Sequence, residues 1–183
     1  MKLFIATAML FSPFLCNAND EIPAFGAQDL LTQEVVSIDP AAQNGIVVVF
    51  LSAHCPCSNS HTAEIARLAK EYPNYFFVGV HSNQDETLQD SQNYFKKIGL
   101  PFRVLEDKGA KIANIFGALK TPHSYVLDRQ GKIQYQGGVS SSQNIEKAEH
   151  KFLREALEDI SAGRALHQTE GRTLGCAIAR EAN

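Results

Sequence analysis

Apolar residues along this chain gather in short dense runs, separated by segments in which they recur every three or four positions. GIVVVFLSA (45–53) is nearly continuous and rich in valine. Asp39-Pro40 and Gln43-Asn44-Gly45 precede it as turn formers, so it predicts a central strand of a parallel sheet, buried on both faces. YFFVGVHSN (75–83) predicts a second such strand. Between the two, Ile65, Leu68, Ala69 and Tyr72 keep helical spacing over 58–72, and Pro73 stops the helix. ETLQDSQNYFKKIG (86–99) predicts a helix ending before Gly99. Beyond it come a short strand over 102–105, a short helix over 109–116, and a hairpin of TPHSYVLD and KIQYQGG around Gly131. A long amphipathic helix is expected over 142–160. Strands alternating with helices in this order predict a three-layer α/β domain. Gly171 and Gly175 argue against a regular element in the tail that runs from Gly163 to the end.

The first 18 residues follow a different rule. MKLFIATAMLFSPFLCNA has Lys2 as its single charge, an apolar run from Leu3 to Leu15, and a small residue at Ala18. That layout predicts an export signal cleaved after Ala18. The expected organisation is therefore a signal peptide at 1–18, one domain at 19–162 and a tail at 163–183. The product is expected to be exported and periplasmic, without a transmembrane segment. Cleavage removes one of 17 basic residues and none of the 20 acidic ones, taking the net charge from −3 to −4. No basic patch interleaved with aromatics suggests a nucleic-acid partner. No glycine-rich loop has the spacing of a phosphate or dinucleotide site. The mature chain keeps Cys55, Cys57 and Cys176, an odd number in an oxidising compartment. At least one of these thiols is then free, transiently paired or ligating something.

Two of the three lie in SAHCPCSNSH (52–61). Cys55 is placed where the buried strand ends and a helix begins, with Pro56 suited to the first helical turn. Free backbone N–H groups and the positive end of the helix dipole favour a thiolate there, which makes Cys55 the candidate nucleophile. Its polar neighbours His54, Ser58, Asn59 and Ser60 predict an exposed junction. Cys57 has no such assignment. On a regular helix, residues two apart point about 200° apart, so a Cys55–Cys57 disulfide requires irregular backbone and a strained ring. The alternatives are a partnership with another thiol, including Cys176, or a passive Cys57. His61 stands one turn after Cys57 and is expected to be a surface residue or a hydrogen-bond partner. Cys55, Cys57, His54 and His61 are also soft and imidazole ligands of the kind that bind copper or zinc.

FLSAHCPCS after a buried strand, the helix behind it and TPHSYVLDRQGKIQYQGG at the far side resemble the thioredoxin-like superfamily. Within it they fit the redoxin branch of TlpA-type thiol–disulfide proteins and peroxiredoxins. The resemblance spans about residues 23–160 and implies a thioredoxin-like fold, a central mixed sheet with helices on both faces. It implies that Cys55 attacks, that Pro122 is a cis proline beside it, and that the Thr121 backbone pairs with a bound thiol substrate. His123 then joins the candidate metal ligands, because the fold brings the proline loop to the helix start. The family's second cysteine belongs at position 58, where this chain has Ser58, and the acidic residue usual on the preceding strand is Val49. Ser52 matches the hydroxyl residue three before a peroxidatic cysteine, but Val48 replaces the expected proline. The tail RTLGCAIAR resembles that of exported redoxins whose Gly-Cys returns to the active site.

Three functions follow as expectations. The first is an exported thiol–disulfide oxidoreductase acting on protein or small-molecule thiols and disulfides, with Cys57 or Cys176 resolving. The second is a thiol peroxidase, with Cys55 oxidised by peroxide. The third is a non-enzymatic copper-binding protein or metallochaperone.

Overall fold

A computed structural model describes residues 21–180. The signal peptide expected at 1–18 lies outside them. The described chain contains β1 (Phe25–Asp29), β2 (Val35–Ile38), β3 (Ile46–Phe50), α1 (Pro56–Glu71), β4 (Phe76–His81), α2 (Leu88–Ile98) and β5 (Val104–Glu106). It continues through α3 (Lys111–Phe116), β6 (Lys120–Thr121), β7 (His123–Leu127), β8 (Ile133–Gly137), α4 (Phe152–Ser161) and β9 (Cys176–Ala177). Seven strands form one mixed sheet in the order β2-β1-β5-β4-β3-β7-β8, and β6 pairs separately with β9. This is the thioredoxin-like α/β fold, with helices on both faces.

The valine-rich run explains the centre of the sheet. β3 pairs parallel with β4 and antiparallel with β7, so neither of its edges is free, and its side chains are fully buried on both faces. Its side chains alternate between two cores. Ile46, Val48 and Phe50 pack with Ile112 and Phe116 of α3 on one face. Val47, Val49 and Leu51 pack with Ile65 and Leu68 of α1, Phe95 of α2, and Leu153 and Leu157 of α4 on the other. α1 starts at Pro56, with the Cys55 sulfur accepting the Ser58 N–H. The Thr87 hydroxyl caps α2, and Gly99, with φ 59°, closes it in the left-handed region.

The long helix expected over 142–160 is cut to 152–161. The Ser141 hydroxyl takes the N–H groups of Glu149 and His150, and the Asn144 side chain takes that of Glu146. Short polar side chains thus outbid the helix for these backbone donors. β1 and β2 were not expected; FGAQD and VVSI carry Gly26, Gln28 and Ser37 on a half-exposed edge, and so lack a dense apolar signature. The tail also departs from expectation. Cys176 and Ala177 form β9, and Ile178 is buried in the same core as Phe50.

Phe50 is fully buried and meets the rings of Phe116 and Tyr125 edge-on at 5.6 and 5.8 Å. Phe50→Ala is expected to cost about 3–5 kcal/mol, through lost contacts and the cavity left behind. Urea unfolding should show a lower midpoint at an unchanged slope.

Candidate active site

β3 delivers its C-terminal end to the first turn of α1, and Cys55 sits at that junction. Contrary to the expected exposed junction, Cys55 is only 1% exposed. The physical reason is the tail, which crosses over it. Thr121 of β6 pairs antiparallel with Cys176 of β9, and Lys120 with Ala177. The pairing brings the Cys176 N–H to 3.4 Å from the Cys55 Sγ. On the inner side the Ser58 N–H also lies 3.4 Å from the sulfur, and the Cys55 thiol donates to the Thr121 carbonyl at 3.1 Å. The Thr121–Pro122 peptide is cis.

Burial pushes the Cys55 thiol up. The neighbouring Cys176 thiol, the Ser58 N–H and the Cys176 N–H outweigh it, and the net pKa falls below the ordinary cysteine value. The other two thiols move the opposite way. Burial and the Cys55 charge raise Cys57 to about 11. Donation to Cys55, then burial and the neighbouring charges, raise Cys176 to about 11. All three are free thiols. Cys57 engages a different part of the tail, its thiol donating to the Leu174 carbonyl at 3.2 Å.

An acidic residue absent from β3 is supplied from another direction. Glu86, in the loop after β4, has a side chain only 3% exposed. Its carboxylate accepts from the Ser52 hydroxyl and, at 2.8 Å, from the Ala53 N–H. The Ser52 Oγ in turn accepts the Cys55 N–H at 2.9 Å. His81 stands 3.9 Å from this carboxylate and contacts Ser91 at 2.8 Å. Sequence periodicity placed Glu86 at an ordinary helix start; a buried loop carboxylate has no periodic signal by which to find it.

The candidate copper or zinc ligands do not converge, and no group of three or more His, Cys, Asp or Glu among the described residues is arranged to hold a metal ion. His61 is buried rather than on the surface. Its Nδ1–H donates to the Cys57 carbonyl at 2.7 Å and its Nε2 lies 2.7 Å from the Ser140 hydroxyl, so both ring nitrogens are occupied. Burial lowers its pKa, the two carbonyl contacts opposing. His54 is exposed. His123 lies against Tyr125, with ring centroids 4.5 Å apart, and burial lowers it to about 4.

This geometry agrees with what known proteins resemble the chain. The family model described as AhpC/TSA matches residues 18–136. The chain belongs to the AhpC/TSA family. The matched span holds Cys55, Cys57 and Thr121 but ends before α4 and Cys176. Among curated proteins, the thiol-disulfide oxidoreductase ResA of Bacillus thuringiensis is 30% identical over 132 residues, 69% of this chain and 73% of that one. Among solved structures, an uncharacterized conserved protein from Geobacillus kaustophilus superposes with a TM-score of 0.80 at 24% identity, covering 89% of this chain and 92% of that one. A hypothetical protein from Sinorhizobium meliloti gives a TM-score of 0.79 at 22% identity, covering 89% and 94%. Both structures share the fold over a longer part of the chain than the family model spans.

With one thiol lowered and two raised, a pH titration of the reduced protein by thiolate absorbance should resolve two steps. A single thiolate should appear below the ordinary cysteine range, and the other two near pH 11. Cys176→Ala removes a donor to the thiolate and should move the first step upward. Since the thiolate is the deprotonated form, reactivity of Cys55 should rise with pH through that first step and then level off.

Proposed function

We propose that this chain is an exported thiol–disulfide oxidoreductase in which Cys55 is the nucleophile and Cys176 the resolving thiol. One observation carries the pairing. Strand pairing opposite Thr121 brings the Cys176 N–H to 3.4 Å from the Cys55 sulfur, whereas Cys57 directs its thiol to the Leu174 carbonyl. The relationship to proteins named as thiol-disulfide oxidoreductases supports the reaction class. Export rests on the signal-like residues 1–18; among the described residues no helix is long and apolar enough to cross a membrane.

In the reaction the Cys55 thiolate attacks one sulfur of a disulfide R–S–S–R. A Cys55–S–S–R bond forms as R–S⁻ leaves and takes a proton. Cys176 then gives up its proton and attacks the Cys55 sulfur, releasing the second R–S⁻, which is protonated in turn. The substrate disulfide is reduced to two thiols, and the protein is oxidised to a Cys55–Cys176 disulfide. Ser58 N–H and Cys176 N–H hold the attacking thiolate, and the Thr121 carbonyl holds its proton in the neutral form. Glu86 acts one step back, fixing Ser52 and the Ala53 N–H, and through them the Cys55 backbone. The Ser52 hydroxyl spends its proton on Glu86 rather than facing the sulfur, which favours disulfide over peroxide as the oxidant.

Cys55→Ser should abolish reduction of a small disulfide. Cys176→Ser should release one product thiol per chain and then stall as a Cys55 mixed disulfide visible by intact mass, with turnover lowered at least about a hundredfold by loss of the intramolecular step. Cys57→Ser should keep turnover within about threefold. Stalling in Cys57→Ser instead of Cys176→Ser would assign resolution to the wrong thiol here and sink the pairing.

A further inference from the structure

The paired segment of the tail lies where an incoming polypeptide would have to lie. Cys55 is reached alongside one backbone edge, that of residues 118–121. β9 shows what happens when an extended chain pairs with this edge: opposite Thr121 it places a cysteine, and that cysteine's N–H meets the Cys55 sulfur. A substrate strand added to the edge would deliver its own cysteine by the same register. That edge is taken. The Ile178 N–H donates to the Leu119 carbonyl at 2.9 Å, and Arg180 donates to the Ala118 carbonyl at 2.6 Å. Cys57 holds the Leu174 carbonyl on the near side of Cys176, and Ile178 is buried in the core on the far side.

The fit depends on Gly175. It has φ 141°, which disfavours other residues, and a Cβ there would overlap the Thr121 carbonyl oxygen and meet the ring of Pro122 at 3.4 Å. The backbone of the tail therefore lies against the proline loop at a distance that only glycine permits.

We propose that residues 174–178 are an internal stand-in for an extended polypeptide substrate, so that the docked tail competes with disulfides carried on polypeptides far more than with small disulfides. This rests on Cys55 being the nucleophile, as proposed above. A polypeptide disulfide reacts only with the fraction of molecules whose whole paired segment has lifted, whereas a small disulfide needs only a local shift at Cys176 to uncover the Cys55 sulfur, which is 1% exposed. With a lifted state of 10% or less, the polypeptide rate is reduced at least about tenfold.

The test compares the first-turnover rate of the full chain with hydroxyethyl disulfide and with a twelve-residue extended peptide carrying a mixed disulfide on its central cysteine. Two variants lift the tail by unrelated means, Gly175→Val by steric overlap and Ile178→Asp by burying a charge. Both are checked for a wild-type far-ultraviolet circular dichroism spectrum, and either one that keeps it suffices. Lifting the tail also withdraws the Cys176 N–H from the Cys55 sulfur, which slows both probes alike, so the readout is their ratio: the peptide rate relative to the small-disulfide rate is expected to rise at least about tenfold in the variant. A wild-type protein whose ratio equals that of the variants overturns the inference. Cys55→Ser, run with both probes, separates the two failures. If it reacts as the wild type does, the assignment of the nucleophile fails; if it is inert and the variants match the wild type, only the role of the tail fails.

Discussion

A buried sulfur stays protonated unless hydrogen-bond donors come to it, and the rest of this site is organised around meeting that condition at Cys55. Desolvation alone would raise its pKa and quench its nucleophilicity. Two parts of the chain reverse that penalty. The first turn of α1 supplies the Ser58 N–H, and the tail supplies the Cys176 N–H with its thiol beside it. Cys176 is 121 residues from Cys55 in sequence, so the lowered pKa of this thiol is a product of the tertiary fold rather than of its motif. The apolar centre of the sheet has the supporting role of holding β3, and hence the β3–α1 junction, in a fixed place.

The same geometry separates two cysteines that look alike in sequence. Cys57 is also buried, 6% exposed, but it lies within the helix and donates to a carbonyl instead of accepting from donors. Burial therefore acts on it unopposed, and the Cys55 charge adds to the effect. Kept protonated by burial, Cys57 is a sound hydrogen-bond donor; the equal rise at Cys176 comes first from its bond to the Cys55 thiolate and lapses once that sulfur is in a mixed disulfide. Its contact with Leu174 makes Cys57 a tether for the strand that carries Cys176. His61 belongs to this tether as well, since its Nδ1–H binds the Cys57 carbonyl and its ring closes the gap to Ser140.

The sheet centre, the α1 start and the β7–β8 hairpin were legible in the sequence because each has a dense apolar run or a turn signal of its own. The place of Cys55 at the start of α1 was legible for a related reason: a Cys-Pro pair at the end of a valine-rich strand marks a helix N-terminus. What escaped has no local signature. Glu86 sits among polar residues at the head of α2, and nothing in NQDET marks it as a carboxylate that turns inward to bind Ser52 and Ala53. His61 has helical spacing from Cys57, which suggests a shared ligand but equally suits a side chain bonded to its own helix backbone, and the latter is found. The exposure of Cys55 was misjudged because its polar neighbours were weighed without the tail that covers them.

The tail shows how a segment can be irregular by composition and still be fixed in position. Gly171 and Gly175 weaken any helix or strand, yet each is a glycine for a packing reason. A Cβ on Gly171 would overlap the Tyr135 hydroxyl, and one on Gly175 would overlap the Thr121 carbonyl. Close approach of two backbones needs glycine as much as a flexible loop does. Reading such residues only as breakers therefore hides the contact they permit. The 6-residue stretch from Leu174 to Ala179 shows the result: it pairs with β6, accepts from Cys57 and from the Gln84 N–H, and buries Ile178. The CPC motif has no cysteine at the position its family uses for the second thiol. Cys57, one residue from that position, turns to the Leu174 carbonyl, and the fold instead brings the backbone N–H of Cys176 back across 121 residues to the Cys55 sulfur.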